Sequence, residues 1–176
     1  LSERLHELIQ ACFTGVWIRS HEHDEAIREI AELCREERWP WALWHIDQGL
    51  RVAGQPAAIH NSAPSDPLAA IRALNSLVAP GGSALLVLVN FHRFLQSAEV
   101  AQALTRQITF GKQQRTFALV LSPVVHIPPE LDKLFVVVEH ELPNREQLAE
   151  IARGVATGNG EMPTGQELEQ ILDAAP

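Results

Sequence analysis

The chain has 176 residues, enough for one domain or one domain with a small appendage. Hydrophobic residues make up 46% and charged residues 20%, which excludes a disordered chain. Fourteen Lys and Arg against 22 Asp and Glu give a net charge of −8, which sets aside a basic nucleic-acid-coating surface, and no apolar run reaches the roughly 20 residues of a membrane span. The two cysteines, Cys12 and Cys34, fall at apolar positions of helical patterns and read as buried free thiols in a reducing, cytoplasmic compartment. The chain opens on Leu1 rather than Met and shows no basic-then-apolar leader, so a piece of a longer reading frame is expected.

In chain order, Leu5, Leu8, Ile9 and Cys12 predict an opening helix. Thr14-Gly15 breaks it, and Val16-Trp17-Ile18 follows as a short strand. Ser20 is expected to cap a second helix whose apolar side is Ala26, Ile27, Ile30, Ala31, Leu33 and Cys34. Trp41 to Ile46 predicts a second strand, opened by Pro40. From Asp47 to Ser65 the pattern dissolves into Gly, Pro, Ala and Asn, which reads as a long loop or ribbon.

Asp66 at N-cap and Pro67 at N1 restart the order in a helix with Leu68, Ile71, Leu74, Leu77 and Val78 on its core face. Pro80-Gly81-Gly82 turns the chain into Ala84–Val89, the purest apolar run. Ser97 begins a helix carrying Val100, Leu104 and Ile108. Phe117–Leu121 and Phe135–Val138 are the fourth and fifth strands. Two helices are expected to close the chain, since Asn144 with Gln147 and Thr164 with Glu167 match capping boxes.

Strands apolar throughout are buried on both faces, and helices between them imply right-handed crossovers. The expected architecture is therefore a three-layer α/β sandwich with a mainly parallel sheet of about five strands, over residues 1–142. A helical tail or lid-like segment is expected over 143–176.

Ligands bind such sheets at the carboxyl ends of the strands. A phosphate loop needs glycines whose N–H groups close around anions, then Lys and Ser or Thr. After the first strand this chain offers Arg19-Ser20-His21-Glu22-His23-Asp24-Glu25, with no Gly or Lys and three acids that would repel a triphosphate. A P-loop is absent. At the end of the third strand an NTPase would carry Asp for Mg²⁺ and an acid to polarise water, where this chain has Asn90 and Phe91. Asn90 reads as a turn cap.

His21 and His23 are the weak metal candidates, but on a helix they point roughly 200° apart. The competing reading of this stretch is a helix start with acids in its first turn. His45 beside Asp47 could form an acid/base pair, though no Ser or Cys stands in a nucleophile motif, and His6, His60, His92, His126 and His140 are scattered over separate elements. Trp39, Trp41 and Trp44 crowd one strand; Trp41 and Trp44 face opposite sides of the sheet, as core packing or as anchors for a protein partner.

The order of elements resembles a AAA-family ATPase core without its catalytic parts. Leu85–Val89 with Asn90-Phe91-His92-Arg93-Phe94-Leu95 is similar to a degenerate Walker B segment, and Phe117–Leu121 with Ser122-Pro123 to the sensor strand. Ile127-Pro128-Pro129-Glu130-Leu131, Phe135–Val138 and Leu142-Pro143 with Arg145-Glu146-Gln147-Leu148 resemble the passage from the sensor loop into the helical lid. More narrowly, most of Leu5–Ala156 resembles the N-terminal non-motor domain of the AAA ATPases first known as a conserved chloroplast open reading frame, and of their bacterial relatives.

The resemblance implies an active AAA module C-terminal to this domain and a possible homo-oligomer in the full-length protein. It makes Arg19, Ser20, His21 and Glu22 the vestige of the phosphate loop, Asn90 and Phe91 that of Walker B, and Ser122 sensor-like. The family pattern has Asp where Asn90 stands. Between Thr116 and Pro143 the one cation is Lys133, so no arginine finger is available. The leading expectation is a catalytically silent regulatory, assembly or partner-binding domain, not itself an enzyme, with no cofactor, nucleic acid or membrane partner. The alternatives are a small metal- or His-dependent hydrolase around His21, His23, His45 and Asp47, and a freestanding protein-binding adaptor.

Overall fold

The computed structural model describes residues 1–54, 66–78 and 82–141. The chain divides into two compact units, Leu1–His140 and Glu141–Pro176. The expected closing helices and their capping boxes lie outside the described residues.

Four α-helices and six strands form the first unit among the described residues. They are α1 (Ser2–Gln10), β1 (Gly15–Arg19), α2 (His23–Glu37), β2 (Trp41–His45), β3 (Gly49–Val52), α3 (Pro67–Ala73), β4 (Ala84–Val89), α4 (Ala98–Gln114), β5 (Thr116–Ser122) and β6 (Val136–Glu139). The sheet order is β3-β2-β4-β5-β1-β6, parallel except for the β2–β3 hairpin. β1, first in sequence, lies between the last two strands.

The strands are buried on both faces because alternate side chains feed two cores. From β4, Ala84, Leu86 and Leu88 join Trp17, Trp44, Val120 and the apolar sides of α3 and α4. Leu85, Val87 and Val89 join Val16, Ile18, Leu119 and the apolar sides of α1 and α2. The result is the three-layer sandwich expected from the apolar runs.

Local chemistry sets most boundaries. Asp66 accepts a hydrogen bond from the Leu68 N–H at 3.0 Å with Pro67 at N1, and Ser97 accepts one from Val100 at 3.4 Å. α2 and α4 each end on a left-handed residue, Arg38 (φ 57°) and Arg115 (φ 54°), as helix C-termini often do.

Four expectations need correction. Gly49–Val52, placed in a loop or ribbon, is a true antiparallel sixth strand, returning along β2 after a turn at Asp47-Gln48. Ser20 is not the N-cap of α2, which begins at His23 with Glu22 at the cap position. Ile46 lies outside β2, which ends at His45, and is exposed. Cys12 lies past the end of α1 in a left-handed conformation (φ 63°) and is half-buried, so only Cys34 is a buried thiol.

Candidate functional site

In an open α/β sheet the ligand crevice opens where neighbouring strands send their connections to opposite faces. Here that point lies between β1 and β5. β1 leads into α2 on one face, while β5 leads into Leu131 and Phe135 on the other. The residues expected to carry vestigial site functions, Ser20 and Ser122, stand at these two strand ends.

The crevice is occupied by the protein's own hydrogen bonds. The Ser20 N–H donates to the Ser122 carbonyl at 3.0 Å. The Ser122 hydroxyl donates to the Val124 carbonyl at 2.7 Å, and the Trp17 indole N–H donates to that same carbonyl at 3.2 Å. Ser122 is fully buried and Ser20 is 2% exposed. Only Ser20, His21 and Glu22 join β1 to α2, too few residues, and none of them Gly, to wrap a phosphate. Asp24 and Glu25 in the first turn already answer the positive end of the α2 dipole.

Two residues complete this corner that local sequence reading did not connect with Ser20. The Ser20 Oγ lies 2.7 Å from His140 Nδ1, and His140 Nε2 lies 3.1 Å from Glu29 Oε1. Ser20 also accepts a hydrogen bond from the Glu22 N–H at 3.0 Å. Burial pushes the Glu29 carboxyl up, while hydrogen bonds from His140 and the Ser2 N–H pull it down, and its pKa sits below the ordinary value. Glu29 and His140 lie 111 residues apart, so no short motif reveals them. The one usable signal is that His140 follows β6 as Ser20 follows β1, and parallel pairing of Arg19 with Glu139 aligns those ends. Arg19 and Glu139 also form an ion pair at 2.6 Å, half exposed to water.

The histidines of the strand ends gather more than their scatter in sequence suggested. His23, at the start of α2, lies within electrostatic reach of His45, His21 and His92, and His92 within reach of His126. Burial is the largest cause holding His23, His45 and His92 below the ordinary imidazole range. Around His23 the His45 charge adds to this and Asp24 opposes it; around His45, Asp47 and Asp24 oppose it while Arg51 adds. Around His92, Arg93, His126 and His23 all add. Among the described residues no three His, Cys, Asp or Glu side chains are arranged to hold a metal ion, His21 and His23 included.

Asn90 and Phe91 act on the backbone and the core. Asn90 adopts a left-handed conformation (φ 54°) that Asn tolerates, and it leads into a 3₁₀ turn over Phe91–Phe94. Phe91 is fully buried and meets Trp44 edge-on with ring centres 5.3 Å apart; Phe94 meets the same indole at 5.4 Å. Trp44 is therefore core. Trp39 and Trp41 face the other side and border a cleft of 260 Å³ with Cys34, Arg35 and Pro40; Trp39 stacks on His6 at 5.9 Å.

Comparison with known proteins gives the context. No curated protein sequence matches the chain. Among solved structures, the crystal structure of a DNA replication initiation factor is similar, with a TM-score of 0.63 at 12% identity, covering 98% of this chain. That likeness establishes the AAA-like α/β fold, and the chain spans about half (55%) of that protein. No helix among the described residues is long and apolar enough to cross a membrane. Residues 1–140 match the family described as SpoVK-like AAA ATPase, N-terminal domain. The match ends at the residue that closes the Ser20–His140–Glu29 network, and the chain belongs to the family of SpoVK-like AAA ATPase N-terminal domains.

Proposed function

We propose that this domain binds no nucleotide and serves as a regulatory, assembly or partner-binding part of a AAA ATPase whose hydrolysing module lies C-terminal to it. The observation that carries the reading is the β1–β5 crevice. Its polar groups are spent on one another, the loop above it has three residues, and acids stand where a triphosphate would need N–H groups and a cation. Asn90 supplies no charge for Mg²⁺. Membership of the conserved chloroplast open-reading-frame type, a cytoplasmic location and a ring of subunits belong to the same proposal. Calorimetric titration with ATP·Mg²⁺ tests it: heats equal to dilution are expected, and micromolar binding refutes it.

A second reading, a hydrolase, is favoured by one observation. Ser20, His140 and Glu29 have the connectivity of nucleophile, base and orienting acid. Access argues against it, because Ser20 is 2% exposed and its oxygen already accepts from the Glu22 N–H. Labelling of Ser20 by a fluorophosphonate would favour the hydrolase; absence of labelling in the folded chain is expected.

A further inference from the structure

We infer that Ser20, His140 and Glu29 form a latch that holds the end of the first compact unit shut. His140 is the last residue of that unit. Its backbone N–H donates to the Arg19 carbonyl at 2.9 Å, extending the β1–β6 pairing one step beyond β6. Its side chain is only 7% exposed, so the ring's two bonds are shielded from water.

The connectivity fits a neutral imidazole in one way only. Nε2 faces a carboxylate and must carry the proton, so Nδ1 accepts from the Ser20 hydroxyl, whose oxygen accepts from the Glu22 N–H. Every donor then has one acceptor. The other Glu29 oxygen accepts from the Ser2 N–H and the Ser2 hydroxyl, both at 3.2 Å. One imidazole thus ties the exit of β6 to the β1–α2 corner and, through Glu29, to the first turn of α1.

The latch adds to a thin set of contacts on β6: its pairing with β1, the half-exposed Arg19–Glu139 ion pair and the partly buried Val136. The strand has four residues and pairs only with β1 among the described residues; Val137 and Glu139 are exposed, and Val138 alone is buried. A short edge strand with one buried side chain opens well before the sheet it borders. With the latch closed, the last residues before the second unit move with the sheet. With it broken, they are released while β4 and β5 stay paired.

Hydrogen exchange on the full 176-residue chain tests this, comparing the wild type with His140→Gln, Ser20→Ala and Glu29→Gln. Residues 136–140 should exchange at least about tenfold faster in His140→Gln and Glu29→Gln, the worth of one charge-assisted bond, and about threefold or more faster in Ser20→Ala, the worth of a neutral one. Glu29→Gln should also loosen residues 2–5, and amides of β4 and β5 should be unchanged. Unchanged exchange at 136–140 overturns the latch, as does an equal loss across β4 and β5, which marks general destabilisation. Nitrogen NMR of the wild type provides a check that needs no variant: His140 as the Nε2–H tautomer is expected, and the Nδ1–H tautomer overturns the connectivity.

Discussion

Gly111, in the last turns of α4, gives a prediction whose sign runs against helix propensity. Replacing Gly by Ala in a helix ordinarily stabilises by about 1 kcal/mol. Here the added methyl would overlap the Thr116 carbonyl oxygen and sit 3.1 Å from both Thr116 Oγ1 and Thr14 Cβ. The overlapped atom is backbone of β5 and cannot rotate away. α4 cannot back off freely, since Thr14 donates to the Ile108 carbonyl at 2.7 Å and Gln107 bonds both Asn75 (3.0 Å) and Thr116 (3.2 Å). Overpacking costs about 1–3 kcal/mol and a disturbed buried hydrogen bond about 1 kcal/mol more. Against the propensity gain, Gly111→Ala should destabilise by about 1–3 kcal/mol. Urea unfolding followed by the fluorescence of the buried Trp17 and Trp44 should show a midpoint lowered by roughly 0.5–1.5 M at an m-value of about 2 kcal/mol/M. Gln113→Ala, exposed on the same helix, is the control and should be neutral or slightly stabilising. A Gly111→Ala midpoint at or above the wild type would refute the close-approach argument.

The pKa values of His23, His45 and His92 are held below the ordinary 6.5, so the unfolded chain takes up protons first. Their contribution to stability is complete above pH 6.5 and is lost as pH falls below it. Urea midpoints should fall between pH 7.5 and 5.5, and replacing all three by Gln should flatten that slope. Glu29, lowered from 4.5, acts in a separate window: its contribution is present above pH 4.5 and is lost below it, so Glu29→Gln should lower the midpoint throughout the neutral range and flatten the further fall below pH 4.5. Burial pushes the Cys34 thiol up to about 12, so an aromatic disulfide reagent should modify only Cys12 rapidly in the native chain, and Cys12→Ser should remove that fast phase. Phe91→Ala should cost about 3–5 kcal/mol by thermal or urea unfolding, since it opens a cavity beside Trp44; a loss under 1 kcal/mol would contradict its place in the core.

What was readable in the sequence divides by the range of the interaction. Ala84–Val89 and Phe117–Leu121 announce strands buried on both faces because their environment demands apolar residues at every position. Asp66-Pro67 and Ser97 announce helix starts because the capping bonds span two or three residues. β3 escaped notice because its four residues, Gly-Leu-Arg-Val, are too few for alternation to rise above the surrounding loop. Ser20 looked like a helix cap for a related reason. It is a hydroxyl just before a helix, and it does accept a backbone N–H two residues on, but its other partner comes from the far end of the domain. The gathering of His23, His45 and His92 depends on strand order, which no local pattern encodes.

The place of β1 in the sheet carries a consequence for the chain as it is being made. Its hydrogen-bonding partners, β5 and β6, begin roughly a hundred residues downstream. At a synthesis rate of about 5–20 residues per second, Val16, Trp17 and Ile18 wait on the order of 5–20 s for a neighbour on either edge. All three are fully buried in the finished domain, so during that interval they are the surface a nascent chain most needs shielded. The first strand of this domain to be made is among the last to be paired.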